Sequence, residues 1–173
     1  MGIKKGKHRR GINTMTMRLI LATVVFVSVA SFPIGRSIPF ADSATEIVEQ
    51  FQSSLLGVMR TAKNTSVRQR YDNILSSVSK TFHMPLMAQI VTGEYWKKAQ
   101  ASEKAALTGA FTRINVATLA TLFNDYNGQT FQTNAEYPGP SNTTIVSTHL
   151  IKPDKSKVSI AYVARKFNRE WRL

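Results

Sequence analysis

The feature that most constrains this chain is a change of hydrophobic period at Asn127-Gly128. Before that break, apolar residues return every three or four positions, which gathers them on one helix face. After it they alternate, which places them on one side of a pleated strand. Helices followed by strands, each with one apolar face, make an α+β chain: the helices must cover one face of an antiparallel sheet.

The helical half reads as four segments. Asp42 follows Pro39 and reads as an N-cap, with Glu46 and Glu49 placed to suit the helix dipole. Ile47, Phe51, Leu55 and Val58 then share a face. Asn64-Thr65 offers a fresh cap before Val67, Tyr71, Ile74, Leu75 and Val78. A shorter segment runs from Thr81 to Val91, with Pro85 suited to a first turn and Gly93 to a stop. The longest runs from Ser102 to about Asn124, with Leu107, Phe111, Ile114, Leu119, Leu122 and Phe123 as its stripe.

Beyond Asn127-Gly128, Thr130–Thr133 opens a strand and Pro138-Gly139-Pro140 turns the chain. Thr143–Ile151 runs back, Pro153–Ser156 turns again, Val158–Ala164 alternates, and Phe167–Glu170 makes a last turn before Trp171. The expectation is an α+β fold with about four helices packed on one face of an antiparallel meander.

The N-terminus is of a different kind. Lys4, Lys5, Lys7, Arg9, Arg10 and Arg18 are followed by the uncharged run Leu19–Ala30, with Ser28 and Ala30 as small residues at its exit. A basic region, a short apolar stretch and a small-residue exit make a secretory signal peptide. Those twelve residues would span roughly 18 Å as a helix, against about 30 Å of hydrocarbon. The division expected is a signal peptide at 1–30, a linker at 31–41 and one domain at 42–173. The alternative is an uncleaved anchor, because 17 uncharged residues lie between Arg18 and Arg36, although Pro33 and Gly35 interrupt them. Arg9-Arg10 could signal twin-arginine export, which Gly11-Ile12-Asn13 supports poorly.

Removing residues 1–30 leaves 17 Lys and Arg against 10 Asp and Glu, a net charge of +7 where the whole chain has +13. Much of the basicity is therefore an address. Outside the cytoplasm no nucleic-acid partner is expected; an anionic membrane surface or lipid head group suits the remainder.

Catalytic chemistry is poorly provided for. There is no Cys, hence no disulfide, thiolate nucleophile or zinc-thiolate site. No glycine-rich phosphate loop, HExxH or G-x-S-x-G occurs. His8 belongs to the export segment, His83 opens a helix where packing or capping explains it, and His149 lies on a strand. Asp72, Glu94, Asp125 and Asp154 fall at helix or turn positions. The glycosylation-like triplets at Asn64 and Asn142 are too short to carry an argument. The expectation is a protein that is not an enzyme and uses no cofactor and no metal. A hydrolase or isomerase using His149 or Tyr162 is the competing reading.

Bulky apolar side chains crowd one stretch: Phe82, Met84, Leu86, Met87, Ile90, Tyr95, Trp96, Phe111, Ile114, Leu119, Leu122 and Phe123 all fall within 42 residues. Met and aromatic groups suit a site that repacks around varied guests, and they suit an ordinary core as well. Spacing alone does not separate the two.

The block from Phe82 through Gly93-Glu94-Tyr95-Trp96-Lys97-Lys98-Ala99 resembles one in the MlaC-like family of periplasmic, ABC-transporter-associated lipid-binding proteins, also called toluene-tolerance auxiliary components. The polar linker Gln100–Lys104, the long helix with Phe111, the Tyr126-Asn127-Gly128 end, the Ala161-Tyr162-Val163 strand and Glu170-Trp171-Arg172 continue the resemblance over roughly residues 42–173. Its subgroup flavour is similar to the hopanoid-associated HpnM proteins.

The resemblance implies a soluble carrier of a phospholipid or hopanoid-like lipid. Its partners would be an inner-membrane ABC transporter complex and an outer-membrane lipoprotein complex, between which it would maintain the outer membrane. Tails would be hidden in a hollow lined by Phe82, Met84, Met87, Ile90, Trp96, Phe111, Ile114, Leu119, Phe123, Phe131, Val146, Ile160 and Tyr162. Lys97, Lys98 and Arg113, with Lys104 nearby, would flank its mouth and attract phosphate. Relatives in the family continue past the Trp with another strand and a helix, whereas this chain stops at Leu173. A C-terminally shortened fold with an open sheet edge, lower stability and a tendency to associate is the corresponding expectation. The competing class is a signal-anchored interaction protein without lipid transfer.

Overall fold

A computed structural model describes residues 43–173. The export segment, its anchor alternative, the linker at 31–41 and the Asp42 cap lie outside the described residues.

The first helix, α1, is Ala44–Thr61. Its N-cap position is Ser43, not Asp42, and the Ser43 side chain makes no capping bond. Help comes from across the molecule instead: the Glu136 carboxylate accepts from the Thr45 N–H at 3.0 Å and its hydroxyl at 2.7 Å. An acid there answers both the orphan donors and the positive end of the helix dipole.

A 3₁₀ turn, Ala62–Asn64, separates α1 from α2, Val67–Thr81. The expected cap at Asn64-Thr65 is displaced to Ser66, because only Ser66 has a Gln three residues on to complete a reciprocal capping box. Helix α3 is Met84–Thr92, with Pro85 in its first turn. His83 takes the capping role expected of it: its Nδ1 accepts from the Leu86 N–H at 3.1 Å, and its ring stacks on Phe167 with centroids 4.2 Å apart. Gly93, at φ +52°, ends α3 in a conformation that side-chain-bearing residues rarely take. A helix beyond the four expected, α4 (Glu94–Lys98), follows at once. Helix α5, Ala101–Leu122, is the longest and opens on a capping box between Gln100 and Glu103.

The strands form the expected meander, ordered β1-β2-β3-β4 and antiparallel throughout. They are β1 Thr130–Pro138, β2 Thr144–Ile151, β3 Lys157–Phe167 and β4 Glu170–Arg172. The first strand runs five residues beyond Thr133, past a bulge at Asn134 that resets its register. Asn168 and Arg169, both with positive φ, make the two-residue hairpin loop joining β3 to β4, as the twist of such a pair demands. The last strand is three residues long and pairs only with Arg165–Phe167. Beyond it, the Leu173 N–H donates to the Thr81 carbonyl and the His83 N–H donates to the Leu173 carbonyl, tying the sheet to the α2–α3 junction.

The register puts Val146, Thr148 and Leu150 of β2 on the same face as Val158, Ile160, Tyr162 and Ala164 of β3. Helix α1 packs across this inner face, touching all four strands. Helices α2, α3 and α5 form the rest of the helical layer, with α5 against both α2 and α3. One core results, built from Val48, Phe51, Leu55 and Val58 of α1, Ile74 and Val78 of α2, Val116, Leu119 and Ala120 of α5, and Val146, Tyr162 and Ala164 of the sheet. Phe51 meets Phe82 edge-on at 4.8 Å between ring centroids.

Candidate functional site

The inner sheet face is not covered evenly. Under α1, Val146, Thr148, Tyr162 and Ala164 are buried. Toward the β2–β3 hairpin the same face emerges: Ile160 and Leu150 are half-buried and Val158 is 40% exposed. Phe131, opposite Leu150 in the register, is half-buried as well. The helical layer behaves likewise, with Met87, Phe111 and Phe123 packed against the core yet only partly covered. The apolar interior thus has a closed centre and a half-open fringe drawn from α3, α5 and the sheet.

The residues expected to line a hollow divide accordingly. Met84, Leu119, Val146 and Tyr162 lie in the closed core. Phe82, Met87, Phe111, Phe123, Phe131 and Ile160 form the partly covered set packed against it, and Trp96 is half-buried at the surface of α4. Ile90 and Ile114 depart from expectation, at 56% and 67% exposed.

The reason is visible on α5, whose inward stripe runs Thr108, Phe111, Thr112, Asn115, Val116, Leu119, Ala120, Phe123, a spacing that leaves Ile114 outside. Thr108, Thr112 and Asn115 can face inward because each donates back to a carbonyl four residues earlier, at 2.8 Å in every case. Their polar atoms are satisfied within the helix and their remaining surface packs.

Of the cations expected at a mouth, Lys97 pairs with Glu94 at 2.6 Å and Lys98 is exposed beside it on α4. Lys104, at the start of α5, holds its Nζ 5.8 Å from the Trp96 ring centroid. Arg113 is separate, nine residues further along α5, roughly 14 Å by helical rise; it lies back over Gly109.

Two open clefts on the described surface contain no residue of the expected lining or mouth. One, about 460 Å³, runs between α1 and α2 past Gln50, Ser54, Gly57, Asn73, Ser76, Ser77 and Lys80. The other, about 500 Å³, lies at the start of α1 beside β1 and collects Glu46, Glu49 and Glu136. Neither therefore marks the hollow expected between the two halves of the molecule.

A polar group that no local signal singles out lies inside the core. Gln52 of α1 donates to the Thr148 hydroxyl at 3.0 Å, and Thr148 donates to the Ile160 carbonyl at 3.3 Å. Gln52 also hydrogen-bonds Tyr162, whose phenol burial pushes above its ordinary value of 10.0, the hydrogen bond opposing the shift. Burial therefore disfavours the phenolate. Nor can Tyr162 act with His149: their faces of the sheet are opposite, and His149 meets the Asn134 side chain at 3.0 Å. Arg70 is also buried, donating to the carbonyls of Thr65 at 2.8 Å, Ala120 at 3.2 Å and Ala62 at 3.4 Å. Among the described residues, no three His, Cys, Asp or Glu side chains gather as a metal site would require.

Comparison with known proteins bears on this arrangement. No curated protein matches the chain. Among solved structures, the phospholipid-binding protein from Ralstonia solanacearum, in complex with a phospholipid, is similar with a TM-score of 0.64 and 13% identity, over 76% of this chain and 74% of that one. At that identity the likeness is one of fold. The model of the MlaC protein family matches residues 49–173, from the second turn of α1 through the end of the sheet. The helical layer and the four-strand meander are therefore those of a chain that belongs to the MlaC family.

Proposed function

We propose that this protein is a lipid carrier, the soluble shuttle of an ABC-type intermembrane transport system. The observation that carries the reading is the half-open apolar fringe of Met87, Phe111, Phe123, Phe131 and Ile160, continuous with the core, in a fold like that of a phospholipid-bound protein. Hiding tails is the main physical task of such a carrier. A sixteen-carbon chain left in water costs on the order of 12 kcal/mol, at about 0.8 kcal/mol per methylene. On this reading a guest displaces these partly covered side chains and opens the core they pack against. Met84 and Leu119 then change neighbours, and no bond is made or broken.

On this reading residues 1–30 export the chain to the periplasm and the working domain begins near residue 42. Its partners are an inner-membrane transporter complex and an outer-membrane lipoprotein complex, and the hopanoid-associated subgroup is its place in the family. The 17 uncharged residues between Arg18 and Arg36 favour one other arrangement, a retained anchor. Mass measurement of the mature protein separates the two, since cleavage removes residues 1–30. The carrier reading is tested by native mass spectrometry and lipid extraction of protein purified from periplasm. Lipid bound in near-stoichiometric amount is the expected result; protein free of lipid refutes it.

A further inference from the structure

Helices α3 and α4 carry more apolar surface than the fold buries. In Met84-Pro85-Leu86-Met87-Ala88-Gln89-Ile90-Val91-Thr92, apolar side chains surround the helix, yet only Met84 and Ala88 are buried. Ile90 and Val91 are 56% and 54% exposed, and Tyr95 is 60% exposed. Helix α4 buries no residue. A Cβ placed on Gly93, between the two helices, would meet nothing within 4 Å, so the chain faces open space at their junction. A helix apolar on all sides belongs in a core or in lipid, and contiguous exposed apolar residues mark a surface that something covers.

The neighbouring groups identify what covers it. Tyr95 and Trp96 each join an apolar aromatic body to a polar tip; Lys97 and Lys98 follow them on the same helix, and Lys104 lies over the Trp96 ring. Rings of that kind settle at head-group level, aliphatic side chains enter the upper acyl layer, and flexible lysines reach lipid phosphates. The nearby acids are engaged: Glu94 holds Lys97, and the Glu103 carboxylate accepts from the Gln100 N–H at 2.7 Å. Lys98 and Lys104 have no carboxylate partner among the described residues. From residue 84 to 98 the corner would reach roughly 22 Å even as one straight helix, short of the about 30 Å needed to span. It can lie along a bilayer but cannot cross one.

We infer that the α3–α4 corner, with Ile90, Val91 and Tyr95 inserted and Lys98 and Lys104 at the phosphates, docks the protein on an anionic phospholipid bilayer. The inference deepens the carrier reading and takes its purpose from it. Met87 of the same helix belongs to the half-open fringe, so docking brings that fringe to its lipid source.

The test must read the corner itself, because six cations in residues 1–30 would hold the full chain to anionic vesicles unaided. Trp96 and Trp171 are the two tryptophans, so Trp171→Phe leaves Trp96 as a local reporter. The probe is vesicles of equal parts phosphatidylcholine and phosphatidylglycerol with brominated acyl chains. Trp96 emission is expected to be quenched, and Ile90→Ser with Tyr95→Ser to raise the lipid concentration for half-quenching by about tenfold or more. Val163→Ser, 50% exposed on the opposite sheet face, should leave it unchanged.

No quenching overturns the proposal, as does quenching indifferent to the double substitution. Equal quenching by pure phosphatidylcholine overturns its anionic part. Lipid extraction from the same preparations keeps the two readings apart. A double variant that retains lipid but loses quenching supports docking at this corner, whereas a wild type that is quenched yet yields no lipid supports docking and refutes the carrier.

Discussion

Arg70 offers the sharpest test of how the helical layer is held. It is a buried cation with no carboxylate partner among the described residues, and its three acceptors lie in three places: the 3₁₀ turn after α1, the residue following that turn, and the last turn of α5. The Ala120 carbonyl is among the last four of α5, which have no partner within the helix. Arg70 therefore acts as a C-cap delivered from α2, and its charge faces the negative end of the α5 dipole. Arg70→Met keeps most of the aliphatic stem and removes every donor.

Hydrogen bonds from a charged donor contribute about 1.5–3 kcal/mol each. Discounting the long contact to Ala62 leaves two good ones, so the loss is about 3–6 kcal/mol, out of a total stability of about 5–15 kcal/mol. In a domain of this size, each kcal/mol moves Tm by about 4 °C, for a drop of roughly 12 °C or more. Arg70→Lys should recover part of this, since an ammonium on a shorter reach cannot serve all three carbonyls. The control is Arg68→Met, two residues away, whose guanidinium meets Asp72 at 3.0 Å with its side chain 81% exposed; its effect should stay below about 0.5 kcal/mol. Urea unfolding followed by circular dichroism reads all three. Equal midpoints for Arg68→Met and Arg70→Met would show that water serves these carbonyls as well as Arg70 does, and the clamp would be refuted.

Two further predictions concern glycine and pH. Gly57→Ala, in the exposed middle of α1 with nothing within 4 Å of the new Cβ, should stabilise by about 0.5–1 kcal/mol. Gly139→Ala should destabilise by more than about 1 kcal/mol, because its Cβ would stand 2.5 Å from Thr143 Oγ1 and 3.0 Å from Ile145 Cγ1; urea midpoints moving in the same direction would contradict the packing described. For Tyr162, burial holds the folded phenol above its unfolded value of 10.0. The stability it contributes is then fully present below pH 10 and is lost as pH rises through the folded value. Tyr162→Phe should accordingly flatten the fall of Tm above pH 10, and an unaltered alkaline fall would exclude that linkage.

Much of this molecule was legible in the residue order because its local signals agree. The break at Asn127-Gly128, the Pro-rich turn at 138–140 and the alternation of β2 and β3 fall where the structure has them, since period and turn chemistry are short-range properties. His83 as a cap and Pro85 in a first turn were legible for the same reason. Where local signals compete, the reading slipped: Asn64-Thr65 looks like a cap, but Ser66 has the Gln69 that closes the box. Ile114 looks like core, but Thr112 and Asn115 satisfy themselves within the helix and take the inward face.

Sequence by itself determined the α+β order and the meander, because each depends on residues near one another in the chain. Only the tertiary structure decided that Glu136 caps α1 from across the molecule, that Arg70 binds three carbonyls, and that Gln52, Thr148 and Tyr162 share one buried network. It also decided which apolar residues close the core and which are left as a fringe. Periodicity fixes which side chains share a face of their own helix or strand. What that face meets is set by contacts between residues some fifty to a hundred positions apart, which no local pattern encodes.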